Sequence, residues 1–222
     1  MIVGERKPFG EIQGLLGRYN NILLVGCGTC VKVCFTGGDK EVAVLASQLR
    51  LAGAKGKKKP VIDEMTIERQ CEIEFVDEVA KQFKGHDVIM SMACGAGVQM
   101  LAERFPDTPV LPAVNTTFLG LLQKQGHFVE NCQGCGTCVL GTFGGICPVS
   151  RCAKSLFNGP CGGSQGGTCE IGGDVPCAWQ QIIDRLTRLK RLDNLKAHVP
   201  PKNWSTARHG GPRKLIREDN IL

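Results

Sequence analysis

Apolar positions in the first half of the chain alternate between two rhythms. Residues 20–26 (NNILLVG) form a short, continuous apolar run closed by glycine, the pattern of a strand covered on both faces. The loop CGTCVKVCFTGG follows, and then Val42, Leu45 and Leu49 recur at helical spacing, which predicts the order strand, loop, helix. Val76, Val79, Ala80 and Phe83 predict a second helix, stopped by Gly85. The run DVIMSMAC (87–94) predicts a strand leading through Gly95, Ala96 and Gly97 into a helix that carries Val98, Leu101 and Phe105. After Pro106, PVLPAV (109–114) predicts a further strand, and Phe118 and Leu121 mark a short apolar segment. Unbroken apolar strands between helices predict an α/β fold, a Rossmann-like parallel-sheet domain spanning residues 1–126.

The rhythm then stops. Between Glu130 and Trp179 cysteine and glycine dominate and neither period survives, so residues 127–178 are expected to form an irregular cysteine-rich metal-binding module. A glycine-rich segment loses much conformational freedom on folding, and metal coordination is the staple that a reducing compartment permits. After Trp179 the helical period returns, with Ile182, Ile183, Leu186 and Leu189 on one face and Arg185, Arg188, Lys190 and Arg191 elsewhere. This predicts a basic helix ending near Pro200 and Pro201, followed by an extended tail, in a third region covering 179–222.

Charge sharpens that division. Residues 1–177 hold 17 Lys plus Arg against 17 Asp plus Glu, whereas residues 178–222 hold 10 against 4, so the net excess of +6 lies in the C-terminal region. The basic face is short, and one tyrosine and two tryptophans provide little for base stacking, so nucleic acid is not an expected partner. No run of about 18 apolar residues is present, and the opening MIVGERKPFGEIQG lacks a signal-peptide core. The expectation is a cytoplasmic chain with no membrane insertion.

Thirteen cysteines in 222 residues change the picture most. In a reducing cytosol they are thiolates for metal binding or catalysis rather than disulfide halves, and an odd count suits complete pairing poorly. Cys27, Cys30 and Cys34 form C-x2-C-x3-C after the first predicted strand, and Cys94 ends a second strand at the same sheet edge. These four are candidate ligands of one 4Fe-4S site, provided the two strands are neighbours, because ligands bind in parallel sheets beyond the carboxyl ends of strands. The same loop begins like a dinucleotide fingerprint, but Val31 stands where the third glycine belongs, which disfavours a nucleotide.

Cys132, Cys135 and Cys138 follow as C-x2-C-x2-C, with Cys147-Pro148 after them, similar to the bacterial ferredoxin run except that eight residues, not three, precede the last cysteine. Cys152, Cys161, Cys169 and Cys177 bring the module to eight thiols, enough for two four-thiolate sites whose pairing the spacing leaves open. The triplet favours iron–sulfur ligation, whereas the later cysteines stay open between iron–sulfur and zinc. Two or three 4Fe-4S clusters are expected in all, with zinc an alternative at one C-terminal site. Cys71 stands alone, either a buried structural cysteine or a fifth thiol near the first site. His127 is the one histidine close enough to the module to serve as an extra ligand, and Lys55 to Lys59 suggest a solvated loop.

The string GGICPVSRCAKSLFNGPCGG (144–163), with CEI and PCAW downstream and VGCGTCVKVC upstream, resembles the small MetV-type subunit family of acetogen-type methylenetetrahydrofolate reductase, whose cysteine-rich part is also known as the methylenetetrahydrofolate reductase C-terminal domain. The resemblance implies a partner, a flavoprotein of the MetF type that holds FMN and the folate site, and an outside electron-donor protein or complex. It implies an electron-transfer subunit that is itself non-catalytic, within an oxidoreductase of one-carbon metabolism. That agrees with the residues, since no G-x-S-x-G elbow, P-loop or H-E-x-x-H motif is present. The competing expectation is a zinc-stabilised structural subunit that holds the reductase together.

Overall fold

The computed structural model describes residues 1–56 and 59–220, so Lys57 and Lys58 of the basic loop and the last two residues of the tail lie outside the described residues. The chain forms two compact units, one made of Met1–Phe118 and Lys124–Phe128, the other of Leu119–Gln123 and Val129–Leu222.

In the first unit, strand β1 (Ile2–Arg6) and helix α1 (Phe9–Leu16) precede β2 (Asn21–Cys27). A one-turn helix α2 (Cys30–Val33) and the long α3 (Asp39–Lys55) lead to β3 (Val61–Ile67). Then come α4 (Ile73–Glu78), a 3-10 turn at Ala80–Phe83, β4 (Val88–Ser91), α5 (Gly95–Arg104) and β5 (Val110–Pro112). Strands β3, β2, β4 and β5 lie side by side in that order, all parallel, with Asn21 opposite Val61 and Ile22 opposite Val88 setting the register. A mixed α/β unit with a four-strand parallel sheet is therefore what the apolar rhythm builds.

Burial explains why β2 reads as an unbroken apolar run. Ile22 and Leu24 enter one apolar cluster together with Val88 and Met90, and α1 and α3 cover it through Ile12, Leu16, Val42, Leu45, Ala46 and Leu49. Leu23, Val25 and Ile89 point the other way, onto Val76, Phe83 and Leu101. Successive side chains of a strand face opposite sides, so a strand with helices on both must be apolar at every position. The buried residues of α3 recur at i, i+3, i+4 and i+7, and Val42, Leu45 and Leu49 each contribute about 1.5–3 kcal/mol on full burial.

Several elements depart from the expected pattern. The helix expected over Val76–Phe83 is broken at Val79 into α4 and the 3-10 turn, while the apolar face is kept and Phe83 stacks on Phe105 with centroids 4.3 Å apart. Strand β3 was not expected, because its sequence VIDEMTI places Asp63 and Glu64 in the middle of an edge strand, where charge guards an open sheet edge. Elements β1 and α1 were not expected either. The segment around Phe118 and Leu121 belongs to a strand, β6 (Val114–Lys124), which turns at Gly126 into β7 (His127–Glu130), and β1, β6 and β7 form a second sheet in the order β1-β6-β7.

The second unit has little regular structure before its C-terminal helix. A one-turn helix α6 (Pro148–Arg151) and the helix α7 (Ala178–Arg188) frame long glycine-rich loops. Its core is small and aromatic: Phe143, Trp179, Ile182 and Leu186 are buried together, with Phe143 edge-on to Trp179 at 5.5 Å. Leu189, expected on the apolar stripe, falls just past the end of α7 and is exposed, so the buried stripe is Trp179, Ile182 and Leu186. Among the described residues no helix is long and apolar enough to cross a membrane.

Candidate metal centre

All thirteen cysteines carry free thiols. In the first unit the parallel sheet reverses its order of growth between β2 and β4, since the chain passes from β2 outward to β3 and then returns to β4 on the other side. The carboxyl edge at such a switch point is a crevice, and that is where three of the expected ligands lie. Cys27 is the last residue of β2, Cys30 opens α2, and Cys94 caps the N-terminus of α5. The condition that the strands before these loops be neighbours is met, because β2 pairs directly with β4.

Cys34 faces elsewhere. It is buried, and its Sγ donates to the Ile2 carbonyl of β1 at 3.5 Å. Burial pushes its thiol above the ordinary value, assisted by the nearby Cys30 and opposed by the Gly4 backbone N–H. Cys71, which looked solitary in the sequence, lies on the loop after β3 and so at the same sheet edge as Cys27 and Cys94. The signal that could have revealed it was hidden in β3, whose charged residues mask a strand and with it the loop that the strand delivers.

In the second unit the eight thiols separate into two sets of four. Cys132, Cys135, Cys138 and Cys147 line one cavity of about 250 Å³. Cys152, Cys161, Cys169 and Cys177 line another of about 340 Å³. The spacing left this division open, and the packing of the loops makes it. Cys177 is drawn to its place because its N–H donates to the Gly167 carbonyl at 2.7 Å, and the Cys169 N–H donates to Val175 at 2.7 Å. Cys177 also caps α7. Burial alone would raise its thiol, yet hydrogen bonds from the Gln180 N–H, the Ser164 side chain and the Trp179 N–H outweigh burial and hold it below the ordinary value.

Backbone donors reach other sulfurs. The Gly134 N–H points at Cys132 Sγ and the Gly163 N–H at Cys161 Sγ, each at 3.4 Å. Lys154 and Glu170 form an ion pair on the wall of the larger cavity. The hydrogen bond to Glu170 raises the Lys154 pKa most, and the Cys161 and Cys152 thiolates raise it further.

The tail folds onto the triplet loop of its own unit. Thr206 Oγ1 donates to the Cys135 carbonyl at 3.1 Å, Arg213 to the Gly134 carbonyl at 2.8 Å, and Lys202 to the Thr137 carbonyl at 3.2 Å. Gly136 makes this close approach possible. Its φ is +88°, and a Cβ there would stand 2.2 Å from the Thr206 carbonyl oxygen. Nothing in the period of the tail announced this contact. His127 sits exposed on β7 and lines neither thiol cavity.

Among the described residues no three His, Cys, Asp or Glu side chains converge on one point as ligands of a single ion would. The thiols are spread around cavity walls instead. A 4Fe-4S cluster takes one thiolate for each of four irons, so a cavity with four thiols and N–H donors to sulfur fits that group in donor chemistry. Each cavity of the second unit fits it.

Fold and thiols together define an α/β protein that couples a parallel-sheet unit to a cysteine-lined unit. Residues 111–205 match the family described as methylene-tetrahydrofolate reductase C terminal, so this stretch, which holds all eight thiols of the second unit, relates the chain to methylenetetrahydrofolate reductase. The match leaves out β2, β3 and β4, and with them the first thiol set. No curated protein and no solved structure matches the chain.

Proposed function

We propose that this protein is the electron-transfer subunit of a methylenetetrahydrofolate reductase, passing electrons between a donor protein and the FMN of a catalytic MetF-type partner. The observation that carries the reading is the division of eight thiols into two four-thiol cavities, inside a stretch related to that reductase. A bound 4Fe-4S cluster supplies reversible one-electron transfer.

The chain's own residues serve that role in three ways. Four thiols in each cavity offer one ligand per iron. The Gly134 and Gly163 N–H groups stabilise thiolate charge at Cys132 and Cys161, and hydrogen bonds to sulfur are a main determinant of cluster potential. Lys202 and Arg213, bound to the loop of the cavity lined by Cys132, offset negative charge that four thiolates would otherwise leave unbalanced, whereas Lys154 beside the other cavity is already paired with Glu170. The reacting folate would sit with the partner, so this chain supplies ligands and electrostatics and no acid–base group.

The test is anaerobic purification of the full chain with its partner, followed by iron, sulfide and zinc analysis, electron paramagnetic resonance of the reduced complex, and stopped-flow reduction of the flavin. Iron and sulfide in equal amounts, with flavin reduction that depends on this chain, is the expected result. A colourless protein holding zinc alone would overturn the reading in favour of a structural subunit.

A further inference from the structure

Strands β3, β2 and β4 are adjacent and parallel, so the loops leaving their carboxyl ends emerge side by side, and each brings a cysteine. Cys27 pairs in register with Ile67, the last residue of β3, and Cys71 follows four residues later. Gln70 fixes where Cys71 stands. Fully buried, it donates through Nε2 to the Val25 and Gly26 carbonyls of β2 at 2.9 and 2.8 Å, and accepts from Ser91 Oγ of β4 at 2.7 Å. One side chain therefore ties the β3 loop to both neighbouring strands.

The remaining contacts close the same corner. Gly97, in the first turn of α5, packs so tightly on this loop that a Cβ would come within 2.8 Å of Gln70 Cβ. Cys27 Sγ lies 3.8 Å from the Glu68 carbonyl. Cys71 itself is exposed at this edge, not enclosed as a buried structural cysteine would be, and Cys94 caps the same helix that Gly97 presses onto the loop. Cys34 instead donates to Ile2 on β1.

We infer that Cys27, Cys30, Cys71 and Cys94 form a third four-thiolate site at the carboxyl edge of the parallel sheet, suited to a 4Fe-4S cluster, and that Cys34 is a packing residue. This rests on the iron–sulfur reading above and changes its ligand set, with Cys71 of the β3 loop as fourth ligand in place of Cys34, which follows α2. Gln70 acts as a positioning residue, holding the loop rather than touching the metal.

The experiment is anaerobic reconstitution of the full chain with iron and sulfide, comparing wild type, Cys71→Ser and Cys34→Ser. Cys71→Ser should lose about four irons and four sulfides per chain, one cluster's content, together with one paramagnetic signal. Cys34→Ser should keep the wild-type content. The opposite pattern, iron lost in Cys34→Ser and kept in Cys71→Ser, overturns the inference while leaving the iron–sulfur reading intact, whereas a wild type that takes up no iron overturns that reading. A second measurement does not depend on the variants folding. In wild-type protein, mass spectrometry after alkylation should find Cys71 modified in the metal-free chain and shielded in the reconstituted one. Equal modification in both states overturns the inference.

Discussion

At the scale of single residues, the chain uses polar side chains to hold loops that its small cores cannot. Gln70 is the clearest case, since its side chain satisfies two carbonyls of β2 and accepts from Ser91. Gln70→Leu would leave the buried Ser91 hydroxyl without its acceptor, while the Val25 carbonyl keeps the Met92 N–H, and an orphaned buried polar group costs about 1–3 kcal/mol. The expected outcome is a lower urea midpoint for the metal-free protein with an unchanged slope. Asp39 gives a pH-dependent counterpart. The hydrogen bond from Lys32 holds its carboxyl below the ordinary carboxylate range, aided by its own backbone N–H at the start of α3. A depressed value stabilises the fold above the unfolded pKa, near 3.9, and the contribution is lost as pH falls through the folded value. Asp39→Asn should therefore lower the thermal midpoint slightly at about pH 6, by an amount that shrinks as pH falls below the unfolded value, the effect being small because the pair is exposed.

At the scale of elements, the small core of the second unit depends on α7. Leu186 and Ile182 are fully buried against Phe143 and Trp179. Leu186→Ala should destabilise this unit by about 2–5 kcal/mol, read as a lower denaturation midpoint by tryptophan fluorescence. Elements with a full apolar run or a clean helical stripe, such as β2, α3, β4 and α7, were legible in the sequence because both signals follow directly from which faces are covered. Elements at the margins were not. In β3 one edge faces no partner strand, and Asp63 and Glu64 serve there in contacts with His86 and Arg50, which hides the strand's period. In β6 only Val114 is buried, so its threonines and leucines carry no inside–outside contrast to read. The cost of missing β3 was Cys71, since an unplaced loop leaves its cysteine looking solitary. The triplet at 132–138 was visible because its thiols are neighbours in sequence, whereas the partition of the later thiols depends on loop packing that spacing does not encode.

At the scale of the whole molecule, the two cavities of the second unit should load independently. Cys135→Ala and Cys161→Ala are each expected to lose one site's metal and keep the other's, measured as iron, sulfide and zinc per chain after anaerobic purification. A single substitution that emptied both would contradict the division into two sets. The tail offers a finer test, because it places positive charge on one loop only. Arg213→Ala removes a cation bound to the Gly134 carbonyl, and less positive charge nearby disfavours the added electron. The reduction potential of that site should fall while the potential of the site lined by Cys161 stays unchanged, as followed by a paramagnetic redox titration.

The sheet-edge thiols are gathered from residues 27 to 94, whereas Cys132, Cys135 and Cys138 lie within one short run. That contrast bears on the order of maturation. A contiguous run can grip metal on a nascent or unfolded chain, but a dispersed set must first close long loops, at an entropic cost that rises with their length. A ligand bound only by the folded state stabilises it in full, and any affinity of the unfolded chain subtracts from that gain. Metal at the sheet edge would thus act as a strut that arrives last and resists melting of the whole first unit. Metal on the contiguous run would be cargo, carried from the start and contributing far less to keeping its own unit folded.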